Sequence, residues 1–69
     1  MEHRFELNSD YIELNKLLKL LGLVESGGQA NLAIENEEVK LNNKIELRKR
    51  AKIVKNDVIK FQNHTIIVE

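Results

Sequence analysis

The sequence predicts an α+β fold, with two short helices packed on a small antiparallel sheet. Three observations lead there. Apolar residues recur at helical spacing between positions 11 and 34. After Glu38 the period drops from 3.6 to 2. Turn-forming pairs then divide the remainder at Asn42-Asn43, Asn56-Asp57 and Gln62-Asn63. The expected order is β-α-α-β-β-β-β within a single domain, residues 1–69.

Each element has a local reason. Residues 4–7 alternate, so Phe5 and Leu7 fall on one face of a short edge strand. Ser9 or Asp10 is placed to cap a first helix over 11–21, and Asp10 with Glu13 resembles a capping box. Tyr11, Leu14, Leu17, Leu18 and Leu21 form its apolar stripe, with Glu13, Lys16 and Lys19 opposite. Gly22 follows at the position where a left-handed residue ends a helix. Ser26-Gly27-Gly28-Gln29 is a second capping box, with Ser26 as N-cap and Gln29 three residues on. Ala30, Ala33 and Ile34 make the buried stripe of that helix, widened by Leu32, and it ends near Asn36. The short link between the helices predicts an αα-hairpin.

In the β half, Val39 and Leu41 flank Lys40, and Ile45 and Leu47 flank Glu46. Asn-Asn favours a two-residue loop, which pairs Leu41 with Lys44. A three-residue loop pairs Leu41 with Ile45 and Val39 with Leu47. The second register is preferred, because a one-residue slip turns the apolar set to solvent. Residues 58–61 and 64–68 read as two further strands.

Composition narrows the function. The chain is 42% hydrophobic, too rich for disorder. It has no cysteine, hence no disulfide and no thiolate ligand. Neither a signal-peptide pattern nor an 18-residue apolar stretch is present, so a cytoplasmic site and no membrane partner are expected. No His, Asp and Glu set has metal-ligand spacing, and neither His3 nor His64 has the neighbours of a triad. The expectation is a protein with no cofactor, no metal and no catalytic residue.

The zero net charge hides an asymmetry. Residues 1–39 hold three cations and eight anions, a net of −5, and residues 40–69 hold eight cations and three anions, a net of +5. Arg48, Lys49, Arg50 and Lys52 occupy four of five consecutive positions. Such crowding repels itself unless a counter-charge relieves it. Phosphate is one candidate, since Arg offers a planar fork and Lys a point charge. The alternatives are a solvated loop or ion pairs to the acidic half. A second candidate is the helix start at Ser26, Gly27 and Gly28, where free N–H groups and the helix dipole favour an anion. Capping alone explains Ser26 and Gln29, but two adjacent glycines in a first turn call for a reason, and close approach of a ligand backbone is one.

The run Leu17-Leu18…Leu21-Gly22-Leu23…Ser26…Ala30…Leu32…Ile34…Val39-Lys40-Leu41-Asn42…Asn56-Asp57-Val58-Ile59 resembles the S4 RNA-binding domain, or αL motif. The resemblance covers about residues 11–61. ESGGQA together with LRKRAKI is most similar to small stand-alone bacterial members of that family. It implies an S4 (αL) fold and RNA binding. By position it implicates Ser26, Gly28 and Gln29 at the second helix, Lys16 and Lys19 on the first, and the cluster Arg48, Lys49, Arg50 and Lys52. The sequence departs from the pattern at Gly27, where many members carry Arg. It departs again at Glu37, Asn43 and Asn56, where glycine is usual. Asn accepts positive φ readily; Glu37 does not, unless Asn36 takes the left-handed position.

The combined expectation is a monomeric, non-enzymatic protein. It would recognise the backbone and shape of structured RNA, ribosomal or tRNA-like. Phe5, Tyr11 and Phe61 are assigned to the core, leaving no aromatic for stacking on bases. If four cations each meet a phosphate, log affinity should fall with log salt by roughly 0.7–0.9 per contact. The alternative is a protein-interaction module that docks a basic partner through its acidic N-terminal half, chiefly Glu35, Glu37 and Glu38.

Overall fold

A computed structural model describes residues 1–69. The elements in order are β1 (Glu2–Phe5), β2 (Ile12–Glu13), α1 (Leu14–Leu20), α2 (Gly27–Glu35), β3 (Val39–Leu41), β4 (Lys44–Ile45), β5 (Lys52–Ile53), β6 (Val58–Phe61) and β7 (His64–Val68). The fold is the expected α+β arrangement, two helices against one face of a sheet. That sheet is ordered β1-β7-β6-β3-β4. It is antiparallel except at one edge, where β1 runs parallel to β7. β2 and β5 form a separate two-stranded ribbon.

The core lies between the helices and the inner sheet face. Leu14, Leu17 and Leu18 of α1 and Ala30, Ala33 and Ile34 of α2 pack with Val39, Ile59, Phe61, Ile66 and Val68. Burying each large aliphatic side chain contributes about 1.5–3 kcal/mol. Leu32 lies outside this stripe and is exposed. Inward and outward positions alternate along the central strands: Ile59 and Phe61 are buried while Lys60 between them is exposed.

Both helices end in the same motif. Gly22, at φ 74°, closes α1, with its N–H donating to Lys19 O and Leu23 N–H to Leu18 O. Glu37, at φ 63°, closes α2, with its N–H donating to Ile34 O and Glu38 N–H to Ala33 O. These are paired Schellman bonds. Asn36 keeps φ −83°, so Glu37 itself takes the left-handed position that its neighbour was expected to spare it. Asn43 and Asn56 are also left-handed, at φ 73° and 78°.

Three expectations about local structure are corrected. First, α1 begins at Leu14 rather than at position 11, because Ile12 and Glu13 pair with Ile53 and Lys52. Ile53 is fully buried, and pairing with β5 keeps Ile12 and Glu13 extended. No Asp10–Glu13 capping box forms, and Ser9 Oγ donates to Tyr11 O instead. Second, the β3–β4 turn contains two residues: Leu41 pairs with Lys44 and Lys40 with Ile45. Asn42 and Asn43 both have positive φ, the pattern of a type I′ turn. Asn42 anchors it, donating to Asp57 Oδ1 at 3.0 Å and accepting from Val58 N–H at 2.8 Å. Ile45, 48% exposed, therefore faces away from the core. Two residues of edge strand bury too little to enforce the other register. Third, the first strand covers Glu2–Phe5 rather than residues 4–7, and so takes in His3. His3 Nε2 lies 3.0 Å from His64 Nδ1 of β7.

Candidate nucleic-acid interface

The loop from Glu46 to Ala51 carries most of the basic cluster, and it folds over the start of α1. Leu14 N–H donates to Ala51 O at 2.9 Å and Asn15 N–H to Lys49 O at 3.0 Å. Loop carbonyls thus satisfy N–H groups that a side-chain cap leaves open elsewhere. Ala51 is buried, which fixes the loop and directs Arg50 and Lys52, on either side of it, outward.

Glu13 is the organising carboxylate. Its Oε2 accepts from Arg50 Nε at 2.7 Å, and its Oε1 lies 3.2 Å from Lys16 Nζ. The Glu13 side chain is only 15% exposed, whereas that of Arg50 is 77% exposed. One end of the pair is tucked against the fold and the other stands in solvent. Hydrogen bonding from Arg50, then from Lys16, holds the Glu13 carboxyl below its ordinary value of 4.5. Arg50 is correspondingly pushed above the usual guanidinium value, chiefly by that hydrogen bond.

Glu46 holds Arg48 in the same way. Its two oxygens accept from Arg48 Nε at 3.0 Å and Nη2 at 3.2 Å. The contact lowers the Glu46 carboxyl and raises Arg48. Lys49 Nζ reaches Glu35 Oε1, at the end of α2, at 3.2 Å. Lys52 Nζ sits 5.0 Å from the centre of the Tyr11 ring, a cation–π distance.

The structure therefore brings Lys16, Lys49, Arg50 and Lys52 around the start of α1, with Arg48 on the same loop. Three cluster cations and Lys16 meet carboxylates of the fold rather than standing free. Pairs this exposed are weak and screened by salt. The local balance is five cations (Lys16, Arg48, Lys49, Arg50, Lys52) against three carboxylates (Glu13, Glu35, Glu46), a net of +2. Tyr11, Ile12, Glu13, Lys16 and Arg50 line a cleft of about 310 Å³.

Ser26, Gly28 and Gln29 lie elsewhere. Ser26 Oγ accepts from Gln29 N–H at 3.1 Å, and the Gln29 side chain accepts from Glu25 N–H at 2.8 Å. The capping signal is realised, reaching one residue further back than Ser26. The N–H groups of Gly27 and Gly28 have no acceptor. A Cβ on Gly27 would meet nothing within 4 Å, and one on Gly28 only the Ser26 hydroxyl at 3.7 Å. Packing does not demand either glycine. This open helix start and the Lys49–Glu35 contact mark opposite ends of α2, roughly 12 Å apart at 1.5 Å per residue. Lys19 is in the last turn of α1 and has no ionic partner.

Two residues escaped sequence reasoning. Tyr11, assigned to the core, is 44% exposed beside the cleft, with Lys52 Nζ over its ring. Glu13, assigned to a helix cap and polar face, is the carboxylate on which the cations converge. The missed signal is the pairing of β2 with β5, which takes both residues out of the helix.

No helix is long and apolar enough to cross a membrane. No group of three or more His, Asp and Glu side chains is placed to hold a metal ion.

Comparison with known proteins agrees with this fold. The chain is 45% identical over 58 residues to the YbcJ protein of Escherichia coli (strain K12), covering 84% of this chain and 83% of that protein. The YbcJ protein of Shigella flexneri matches to the same extent. The solution structure of E. coli YbcJ, described as revealing an αL motif involved in RNA binding, superposes with a TM-score of 0.72 at 42% identity. That match covers 94% of this chain and 84% of YbcJ. The S4 domain family matches residues 5–69, spanning both helices, the basic loop and the sheet up to β7. With the fold and nearly the whole chain in agreement, this protein belongs to the S4 domain family.

Proposed function

We propose that this protein binds structured RNA through backbone and shape, and performs no chemistry. The reading rests on the convergence of Arg50 and Lys16 on Glu13, with Lys49, Lys52 and Tyr11 beside them and an excess of positive charge. An RNA strand lying along α2 would meet this group at one end and the exposed N–H groups of Gly27 and Gly28 at the other. The half-buried carboxylates of Glu13 and Glu46 hold the exposed guanidinium groups in place before phosphate arrives, so less side-chain freedom is lost on binding. The expected ligand is a folded RNA of ribosomal or tRNA type, bound by a monomer in the cytoplasm.

Internal pairing changes the expected salt dependence. With a local net charge of +2 rather than +4, this patch should contribute roughly 1.4–1.8 to the fall of log affinity per unit log salt. Gel shifts with bulk transfer RNA at several salt concentrations measure it. Arg48→Ala with Arg50→Ala should remove most of that contribution and leave thermal stability nearly unchanged. An unaltered slope would take the cluster out of the site.

The in-fold pairing of the cations favours a second reading, a module that docks a basic protein at Glu35, Glu37 and Glu38. It expects no RNA shift at any salt and capture of a polylysine probe that is lost on Glu38→Gln.

A further inference from the structure

All three arginines, Arg4, Arg48 and Arg50, are paired with carboxylates of the fold. Of the eight lysines, only Lys16 and Lys49 are. Six remain without an ionic partner, and two of these face one another on the side of the sheet that the helices leave bare.

Register places Lys40 of β3 directly opposite Lys60 of β6. Both are exposed, while their strand neighbours Val39, Ile59 and Phe61 point into the core. The same row continues to Ile45 of β4 on one side and Thr65 of β7 on the other. Glu2 and Arg4 lie at the β1 edge of this face and pair with each other at 3.2 Å. Glu38, two residues before Lys40, is the acidic group nearest in sequence, yet no carboxylate lies within 4.0 Å of either ammonium group.

Like charges directly opposite across a ladder destabilise it. Nothing in the packing requires lysine at either position, since both side chains are in solvent. The basic loop answers its own repulsion with Glu13, Glu35 and Glu46. The lysine pair has no such answer within the molecule.

We propose that the bare face of the sheet is a second phosphate-backbone contact centred on Lys40 and Lys60. One molecule would then hold two RNA segments, one at the α1–α2 side and one against the sheet. The proposal takes its ligand class from the RNA-binding reading, but its residues and its face are separate from that site. Ile45 and Thr65 would border the backbone, and unpaired lysine ammonium groups suit phosphate contact without base readout.

The test compares Lys40→Gln/Lys60→Gln with Arg48→Ala/Arg50→Ala, using bulk transfer RNA and polyglutamate as probes across 50–200 mM salt. Loss of two free phosphate contacts lowers the salt slope by roughly 1.4–1.8, or about tenfold less change in affinity across that range. The lysine variant should also melt at a higher temperature than the parent, because the opposed charges are gone. Unchanged affinity and slope in the lysine variant, with weakened binding in the arginine variant, overturns the bare-face contact and leaves the first site standing. The reverse pattern supports the bare face and removes the basic loop. No binding of transfer RNA by the parent protein defeats both. Polyglutamate binding that is lost in the lysine variant, with transfer RNA binding intact, assigns the face to an acidic protein and overturns the proposal.

Discussion

The two helices begin in opposite ways. α1 starts without a side-chain cap; its first N–H groups are covered by the carbonyls of Ala51 and Lys49, from more than thirty residues away. α2 starts on a local cap from Ser26 and leaves the N–H groups of Gly27 and Gly28 open. One start is closed by tertiary structure and surrounded by cations. The other is closed by sequence and left accessible. A side-chain cap uses few donors and exposes the rest, whereas a loop laid over a helix end consumes the donors and can deliver its own side chains to the rim. In this protein the same loop that seals α1 supplies Arg48, Lys49 and Arg50.

The contrast can be broken most strongly at Leu14, the first residue of α1 and fully buried. Leu14→Ala should cost about 2–5 kcal/mol in urea denaturation. A loss well under this would mean that the loop bonds, not burial, hold the α1 start. At the other start, Ser26→Ala should cost about 1 kcal/mol by the same measurement. It should also weaken RNA binding if the open turn receives a phosphate, so stability and affinity read the two roles separately. A smaller gain is expected at the far end of α2. Glu37→Gly relieves a left-handed non-glycine residue and should stabilise by about 0.5–1 kcal/mol, less than the full strain because glycine frees the unfolded chain. No gain would indicate that the Glu37 side chain makes a compensating contribution.

The smallest effect concerns acid. Glu13 and Glu46 titrate below their ordinary 4.5 in the folded protein, so they bind protons less readily folded than unfolded. Their contribution to stability is present above that ordinary value and is lost as pH falls through the lowered ones. Melting temperature should therefore decline on the acid side of about pH 4.5, and Glu13→Gln with Glu46→Gln should flatten that decline. An equally steep decline in the double variant would place the acid sensitivity in other carboxylates.

The same contrast explains what the sequence revealed. α2 was legible because its signals are local: Ser26 and Gln29 are three residues apart, and the burial of Ala30, Ala33 and Ile34 follows a helical period. Gly22 was legible for the same reason. The S4 pattern carried the fold and family, since its apolar positions span both helices and the β half. The start of α1 was misread because Asp10 and Glu13 mimic a cap that a partner strand forty residues later forbids. The β3–β4 register was misread because alternation of Ile45 and Leu47 implied burial, while the paired asparagines obeyed turn geometry. The basic cluster was visible as charge, but its pairing was not. Arg50 and Glu13 are 37 residues apart, and nothing local indicates that they meet. The divided charge of the two halves hinted at it, and the Arg50–Glu13 and Lys49–Glu35 pairs now give that hint a structural form.

The margins of the five-stranded sheet carry a further consequence. One margin is β4, two residues long and bearing Lys44; the other is β1, flanked by the charges of Glu2 and Arg4. Short, charged borders make poor templates for an incoming strand. Recruitment by strand addition, a common way for sheets to capture extended peptides, finds little purchase here. Partners are left with the faces and the helix starts, where side chains and free amides decide what is held.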